Sequence, residues 1–523
     1  MAFLASADPS AGLDHVVVVM FENRSFDNVL GRLYEPDEVE AFEGVIGKDL
    51  SNPIPHWAED GADEGAVPYG VAENMDTPNP DPGEEYQRVN TQLFGVIDPP
   101  GNRAKLAGKM AAPFNAPAEG QAPTMDGFVA DYIGAVAAET GKQPKYEEYA
   151  QIMAGYTPEQ LPVLSTLGRG FATFDHWFAE VPSQTFTNRS FIHAASASGL
   201  VVNAPYANFP VHNDAETLFE RLESKGLSWR VYCDPPSRIP FTALIHGSRL
   251  RERFATNFVS TDQYFEDVEK GELPTYSFVE PNMWHGHNDM HPPISALFPG
   301  FAFDAPSSLL GGEALLARIY EAIRSSSSSE GSNCFNTLLM VVFDEHGGTY
   351  DHVPPPAATP PDPKGPEGQM GFKFDRLGLR LPAIAISPWI DERTVVNDVY
   401  RATSVIRTMR ERWRLGEPLT ARDADASDIA PLLSRDEPRA PEDWPDVAPH
   451  EVPEFDEALV PRDAPLCPLA KAVFHGYLAL VKSLGASAPD VDENADLRGG
   501  EALDIVDETA GDLFPGLRQT AGK

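Results

Sequence analysis

Three runs made up largely of hydrophobic residues predict the strands of one sheet. They cover residues 14–20 (DHVVVVM), 338–343 (LLMVVF) and 381–386 (LPAIAI). None of them alternates hydrophobic and polar positions, which is typical of strands that are buried on both faces of a parallel sheet. A fourth strand is predicted over 229–233, because it follows a helical stripe that ends at Gly226.

Helical spacing recurs between these strands. Hydrophobic residues four apart predict a helix over 315–323 and a second over 405–413, the latter with Thr403 as its N-cap. Strands and helices alternate over roughly 400 residues, which predicts an α/β fold with a mostly parallel central sheet flanked by helices. In such folds the active site lies at the carboxyl ends of the strands.

The same pattern divides the chain into regions. One main region is expected over 13–415, interrupted by a long insertion at about 36–120 that is rich in Pro, Gly, Asp and Glu. From 416 to 523 the chain is acidic and Pro-rich, with one clear helical pattern over 469–484. We expect this C-terminal extension to pack on the main region.

Charge and composition then exclude several classes of protein. The chain has 523 residues, 42% of them hydrophobic, and a formal net charge of -39. This charge repels polyanions, so no nucleic-acid partner is expected. No apolar run is long enough for a transmembrane segment, and the N-terminus does not look like a secretory signal. A cytoplasmic protein is expected from the sequence as given, or a secreted one if a leader was removed or a non-classical route is used.

Carboxylate and amide side chains follow two of the predicted strands. Glu22 and Asn23 come after the first run, and Asp344 and Glu345 come after the second. Carboxylate and amide oxygens at neighbouring strand ends suit a hard cation. The alternatives are a surface turn in which Glu22 pairs with Arg24, and an Asx-type turn that closes the second strand.

Two further segments carry candidate chemistry. Residues 183–189 read SQTFTNR, in which the Thr185 hydroxyl could serve as a nucleophile if a metal lowered its pKa. Residues 280–293 hold three histidines within seven positions. Taken singly, the first segment is also compatible with a polar loop, and each histidine with a structural role.

Taken in order, these segments resemble the phosphoesterase family that contains bacterial phospholipases C and a group of acid phosphatases. The matching motifs are ENRSFD at 22–27, SQTFTNR at 183–189, DEHGGTYDHVPPP at 344–356 and GLRLPAIAISP at 378–388. The resemblance spans about 13–415 and implies an alkaline-phosphatase-like α/β sandwich.

The resemblance implies a role for each matching residue. Thr185 would attack phosphorus and form a covalent phospho-threonine, assisted by Asn23 and His291. One divalent metal ion is implied, with calcium, magnesium or manganese favoured and zinc or iron possible. Its ligands would be Glu22, Asn23, Thr185, Asp344 and Glu345.

A shell around the substrate is expected as well. Its members would be His246, Glu84, His287, Trp284 and His352. Glu84 is a departure, because residues 81–84 read DPGE where relatives read DPGH. A carboxylate there would repel a phosphate oxyanion unless it is protonated, turned away or bound to a cation. Trp177, Trp284 and Tyr350 could form an aromatic cage for a choline-type substrate, or could be core residues.

The sequence therefore predicts a metal-dependent hydrolase of phosphodiesters that resembles phospholipase C. Its substrate would be a phospholipid or a small phosphoester. Two alternatives stay open: an acid phosphatase that acts on phosphomonoesters, and a catalytically inactive binding protein with the same fold.

Overall fold

An eight-stranded mixed sheet forms the centre of the protein. The computed structural model describes residues 8–236, 239–283, 286–293, 308–454, 462–463, 466, 468–492 and 497–517. Its strands are β1 (His15–Phe21), β2 (Ser51–Pro53), β3 (Ala66–Pro68), β4 (Gly70–Val71), β5 (Ala154–Gly155), β6 (Ala172–Phe174), β7 (Trp177–Phe178), β8 (Trp229–Cys233), β9 (Phe258–Ser260), β10 (Tyr276–Glu280), β11 (Thr337–Phe343), β12 (Ala383–Ile386), β13 (Thr394–Val396) and β14 (Tyr400–Arg401).

The order of strands in the central sheet is β13-β6-β12-β11-β1-β10-β8-β9. Only β12 among them runs against its neighbours, since both its pairings, with β11 and β6, are antiparallel. The other pairings are parallel. The predicted α/β class with a mostly parallel sheet is therefore confirmed, and the third hydrophobic run forms the exceptional strand.

Helices lie between and around these strands. They are α1 (Phe26–Val29), α2 (Tyr86–Phe94), α3 (Phe128–Thr140), α4 (Tyr146–Tyr149), α5 (Pro162–Gly170), α6 (Thr185–Ala194), α7 (Asn208–His212), α8 (Leu218–Ser224), α9 (Phe241–Ile245), α10 (Gly247–Leu250), α11 (Phe254–Asn257), α12 (Thr261–Lys270), α13 (Ser308–Ser325), α14 (Thr403–Trp413), α15 (Ala421–Ala424), α16 (Pro468–Ser483) and α17 (Gly499–Leu513). The predicted cap of α14 was one residue off, because Ala402 is the N-cap and Thr403 begins the helix.

Two hydrophobic clusters stabilise this arrangement. The larger one surrounds the central sheet and includes Trp444, Tyr477 and Val506 from the C-terminal extension. The smaller one joins the region of the insertion to α3 and also includes Tyr350 and Leu379. Side chains from both sides of residue 415 thus belong to one cluster, and the division into a catalytic domain and an extension that packs on it stays a prediction. No helix in the described ranges is long and apolar enough to cross a membrane.

The register of β1 against β11 positions the candidate site. These two strands are parallel neighbours, and Phe21 at the end of β1 pairs with Phe343 at the end of β11. The chain continues from these residues into Glu22 and Asp344, so both carboxylates emerge at the same edge of the sheet.

Candidate active site

Glu22, Asn23, Asp344 and Glu345 lie together at the carboxyl ends of β1 and β11. The backbone N–H of Asn23 donates to Oδ1 of Asp344 at 3.1 Å, and the N–H of Glu345 donates to the same oxygen at 2.7 Å. All four side chains are buried. The structure thus brings these four predicted metal ligands into one cluster.

Gly347 lets the loop after β11 close onto this cluster. Its N–H donates to Oε2 of Glu345 at 2.8 Å, which fixes that carboxylate. Its φ is +60°, and a Cβ there would lie 2.2 Å from the backbone oxygen of Asn23. Asn23 itself has a φ of +57°. Both residues therefore use left-handed backbone, which glycine and asparagine adopt most readily.

Thr185 reaches the cluster from the first residue of α6. Its hydroxyl donates to Oε2 of Glu22 at 3.4 Å, and the side chain is buried. The N-terminus of a ten-residue helix carries partial positive charge and unpaired N–H groups, so it suits an anion such as a phosphoryl group. Thr185 is thus placed where a phosphate would be stabilised.

Arg189 follows Thr185 by one helical turn and neutralises part of the acidic charge. Its Nε donates to Oε1 of Glu22 at 2.8 Å and lies 3.7 Å from Oδ2 of Asp344. Sequence reasoning gave Arg189 no role, although the spacing of four residues from Thr185 on a helix could have placed both on one face.

The electrostatics of the cluster favour a cation. Burial, partly opposed by Arg189, raises the pKa of Glu22 well above its usual value and also raises that of Asp344. Burial and the charge of Asp344 raise the pKa of Glu345 in the same way. Three buried carboxylates with one arginine leave negative charge uncompensated.

Unpartnered oxygens show where such a cation fits. Oδ1 of Asn23, Oδ2 of Asp344 and Oε1 of Glu345 are buried and have no hydrogen-bond partner among the described residues. Buried polar atoms are normally satisfied, and these three belong to residues that were predicted as ligands. The donor set is all oxygen, which fits a hard divalent ion.

His291 and Glu84 both contact the amide nitrogen of the Asn23 side chain. The Asn23 amide donates from Nδ2 to Oε2 of Glu84 at 2.8 Å and to Nε2 of His291 at 3.0 Å. Nδ1 of His291 lies 2.7 Å from the carbonyl of Pro292, to which it donates, so Nε2 is the unprotonated nitrogen. Burial lowers the pKa of His291 to about 4, which keeps the ring neutral.

His287 is linked to the same region through Asp289. Its Nδ1 lies 2.8 Å from Oδ1 of Asp289, which also accepts the N–H of His291 at 3.1 Å. The carbonyl of Asp289 accepts the N–H of Glu22. Burial works to raise the pKa of Asp289, but His287 and His291 hold it at about 2.

Two other predicted residues lie in separate surroundings. His246 is buried beside His193, at 5.7 Å between ring centroids, and neither of its ring nitrogens has a hydrogen-bond partner within the described part of the chain. Burial lowers the pKa of His246 to about 3. His352 bonds to Asp27 and Glu43, 2.7 and 3.1 Å away. The roles of both in substrate binding stay predictions.

The aromatic cage receives little support from the two members that can be located. Trp177 is buried in the larger hydrophobic cluster, and Tyr350 packs edge-on against Phe128 in the smaller one. Both placements favour the alternative of core aromatics. Trp284 lies outside the described residues, so its predicted contact with substrate stays a prediction.

The insertion reaches the site through Gln92 on α2. Nε2 of Gln92 donates to the carbonyl of Gly83 at 2.7 Å and to Asp131 at 2.9 Å, and its Oε1 accepts from Nε2 of His346 at 2.8 Å. His346 directly follows Glu345 in the sequence. Gln92 therefore ties the loop of Glu84 to the loop of a predicted metal ligand.

Comparisons with known proteins agree with this geometry. A profile of the Phosphoesterase family matches residues 13–416. Non-specific phospholipase C3 of Arabidopsis thaliana is 31% identical over 455 residues, covering 83% of this chain and 75% of that protein. Non-hemolytic phospholipase C of Pseudomonas aeruginosa is 25% identical over 447 residues, covering 78% and 54%. The chain therefore belongs to the phosphoesterase family and is a hydrolase that acts on phosphoric ester bonds.

Proposed function

We propose that this protein is a metal-dependent phosphodiesterase of the phospholipase C type that works through a covalent phospho-threonine. The observation that carries the proposal is the position of Thr185. Its hydroxyl begins α6, bonds to Glu22, and belongs to the same buried cluster as the unpartnered oxygens of Asp344 and Glu345. The names of the relatives support a phospholipid or a smaller phosphodiester as the substrate.

The cluster would hold one divalent ion. Its ligands would be Glu22, Asn23, Thr185, Asp344 and Glu345. When bound, the ion would favour the alkoxide of Thr185 and offset charge on the phosphoryl oxygens. Calcium, magnesium or manganese suits the oxygen ligands best.

The side chains of the protein would then perform the substitution. Thr185 Oγ1 gives its proton to solvent and bonds to phosphorus, while the bond from phosphorus to the leaving alcohol oxygen breaks and that oxygen takes up a proton from solvent. Water next attacks the phospho-threonine, releases the phosphomonoester and restores the hydroxyl. The N-terminus of α6 and Arg189 contribute positive charge to the site throughout.

Neutral His291 does not donate a proton to the leaving group in this arrangement. Its Nε2 accepts from the Asn23 amide, and its Nδ1–H is engaged by Pro292. Without a metal ion on Nε2, His291 would therefore fix the orientation of the Asn23 amide.

Hydrolysis assays with two chromogenic substrates test the proposal. The protein, loaded with Mn²⁺, Mg²⁺ or Ca²⁺, is assayed on p-nitrophenyl phosphorylcholine and on p-nitrophenyl phosphate, with and without chelator. We expect turnover of the diester that chelator abolishes. Turnover of the monoester alone would instead support an acid phosphatase, and turnover of neither a catalytically inactive binding protein.

Substitution of the nucleophile tests the covalent step. Thr185→Ala should lower kcat by roughly 10³-fold or more, whereas Thr185→Ser should keep measurable activity. Thr187→Ala is the matched control, since the Thr187 hydroxyl is also buried on α6 but donates to the carbonyl of Leu200. A Thr185→Ala variant with full activity would rule the mechanism out.

A further inference from the structure

Asp81, Glu84 and His291 form a second group of potential metal ligands next to the first. One ligand atom from each residue lies within 4.8 Å of the others. Asp81 and Glu84 belong to the loop before α2, and His291 follows β10 in the chain. None of the three belongs to the set of ligands assigned to the first cation.

His291 has the hydrogen-bond arrangement of a metal ligand. Its Nδ1–H donates to the backbone carbonyl of Pro292, which fixes the ring and leaves the lone pair of Nε2 available. Histidines that bind metals almost always donate their other N–H to a carbonyl or carboxylate in this way. In the structure, that lone pair and Oε2 of Glu84 both point at the Asn23 amide, 3.0 and 2.8 Å away.

Asp81 supplies an unsatisfied oxygen. Its Oδ1 is buried and has no hydrogen-bond partner among the residues described, and it lies 3.8 Å from Nδ1 of His291. Arg24 is close enough to act on its charge, but the Arg24 guanidinium bonds to Asn28 and to the carbonyls of Met290 and Thr77 instead. A buried carboxylate oxygen without a partner is costly unless a cation or a donor meets it.

The chemistry of the reaction gives this group a reason to hold a cation. A phosphoryl group requires positive charge or hydrogen-bond donors around its oxygens. Glu84 brings a carboxylate to a position that contacts Asn23, which by itself would repel the substrate. A divalent ion on these side chains would reverse the sign of the charge that the substrate meets.

We propose that Asp81, Glu84 and His291 bind a second divalent cation, next to the first site and separated from it by Asn23. The ion takes the place of the Asn23 amide hydrogens as the partner of Glu84 and Nε2 of His291. Its two carboxylates and one imidazole suit manganese or zinc as well as magnesium. Its effect on catalysis rests on the proposed function, whereas its binding does not.

Metal stoichiometry tests the second site without relying on turnover. The protein is stripped with chelator and dialysed against Mn²⁺, and bound metal is then counted by plasma mass spectrometry. We expect two ions per chain for the natural sequence and one for Glu84→Gln or Asp81→Asn. Glu85→Gln is the matched control, because it removes the same charge one residue away and should keep two ions.

Several outcomes would overturn the proposal. One ion per chain in the natural protein would do so, as would an unchanged count in Glu84→Gln. If Glu84→Gln does not fold, as judged by circular dichroism, Asp81→Asn is counted instead and should bind one ion. A protein that binds two ions but hydrolyses neither substrate would keep the second site and refute the proposed function. A protein that binds one ion and hydrolyses the diester fully would refute the second site and keep the proposed function.

Discussion

Arg189 and Glu22 form a buried ion pair in which Nε of the guanidinium donates to Oε1 of the carboxylate at 2.8 Å. The side chains are 2% and 0% exposed, so water screens neither charge. Because Thr185 bonds to the other oxygen of Glu22, this one carboxylate connects the arginine to the proposed nucleophile. Arg189 thus opposes the effect of burial on the pKa of Glu22 and fixes this carboxylate in the position that the proposed cation and Thr185 both require.

Removing this guanidinium should affect stability and metal binding together. Arg189→Met leaves Glu22 buried without its partner, so we expect the free energy of unfolding to fall by about 3 to 5 kcal/mol in metal-free protein. Saturating Mn²⁺ should recover part of this loss, because the cation supplies the missing charge. Urea denaturation with and without Mn²⁺ measures both effects.

A partly exposed arginine with a solvent-exposed partner provides the control for that experiment. Arg221 pairs with Glu216 at the surface, so Arg221→Met should lower stability by less than about 1 kcal/mol and show no dependence on Mn²⁺. Equal losses for Arg189→Met and Arg221→Met would contradict the role assigned to the buried pair.

A methyl group at Gly347 should disturb the site through the backbone. In Gly347→Ala, the new Cβ would lie 2.2 Å from the Asn23 carbonyl at a φ of +60°, so the loop must move away from Asn23. We expect metal affinity and kcat to fall at least tenfold. Gly226→Ala is the matched control, because Gly226 also has positive φ, at +71°, but meets nothing within 4 Å. Equal effects in both variants would show that backbone strain, and not the contact with Asn23, is responsible.

Continuous hydrophobic runs made the central strands predictable from the sequence. Residues 14–20 and 338–343 lie in the middle of a sheet that is covered on both faces. Hydrophobic and polar positions therefore do not alternate along them. The direction of β12 could not be predicted in this way, because a short buried run reads the same in a parallel and an antiparallel strand. That direction depends on the path of the chain between β11 and β12.

The site was predictable where its residues directly follow strands, and not where they meet through space. Glu22 and Asp344 were placed correctly at one edge of the sheet because each ends a hydrophobic run. The contact of Glu84 with Asn23 joins residues 61 positions apart, and no periodicity encodes such a contact. The bond of Gln92 to His346, over 254 positions, is a second example.

Asp131 should make the stability of the protein depend on pH. Burial raises its pKa from 3.8 to about 7, although Arg88 opposes the shift. The folded state then holds this proton more tightly than the unfolded state, so the contribution to stability is complete below about pH 4 and is lost as the pH rises towards 7. The loss amounts to roughly 4 kcal/mol at most.

Comparison with an uncharged variant isolates this contribution. The free energy of unfolding of the natural protein should fall relative to that of Asp131→Asn between pH 4 and 7. Above this range the difference between the two proteins should stay constant. Urea denaturation across this range measures the difference. A difference that stays constant with pH would show that Asp131 does not titrate in the folded protein.

Substitutions of two glutamines on α2 can distinguish the loss of stability that follows from any lost buried hydrogen bond from a specific effect on the active site. Gln92 bonds to Gly83, Asp131 and His346, whereas Gln87 bonds through Nε2 to the carbonyl of Ala107 at 2.7 Å. Replacing either by Leu leaves buried partners unsatisfied, so we expect each to lower the free energy of unfolding by about 1 to 3 kcal/mol.

Only Gln92→Leu should also change the active site. Without Gln92, the loop of Glu84 and the loop of Glu345 are no longer tied together, so the apparent affinity for Mn²⁺ should fall and kcat should drop at least tenfold. Gln87→Leu should keep both values within about twofold at a temperature where the protein remains folded. Titration of activity with Mn²⁺ in the two variants gives the answer, because a purely structural role for Gln92 would lower their stability alike and leave the metal titration curves superimposed.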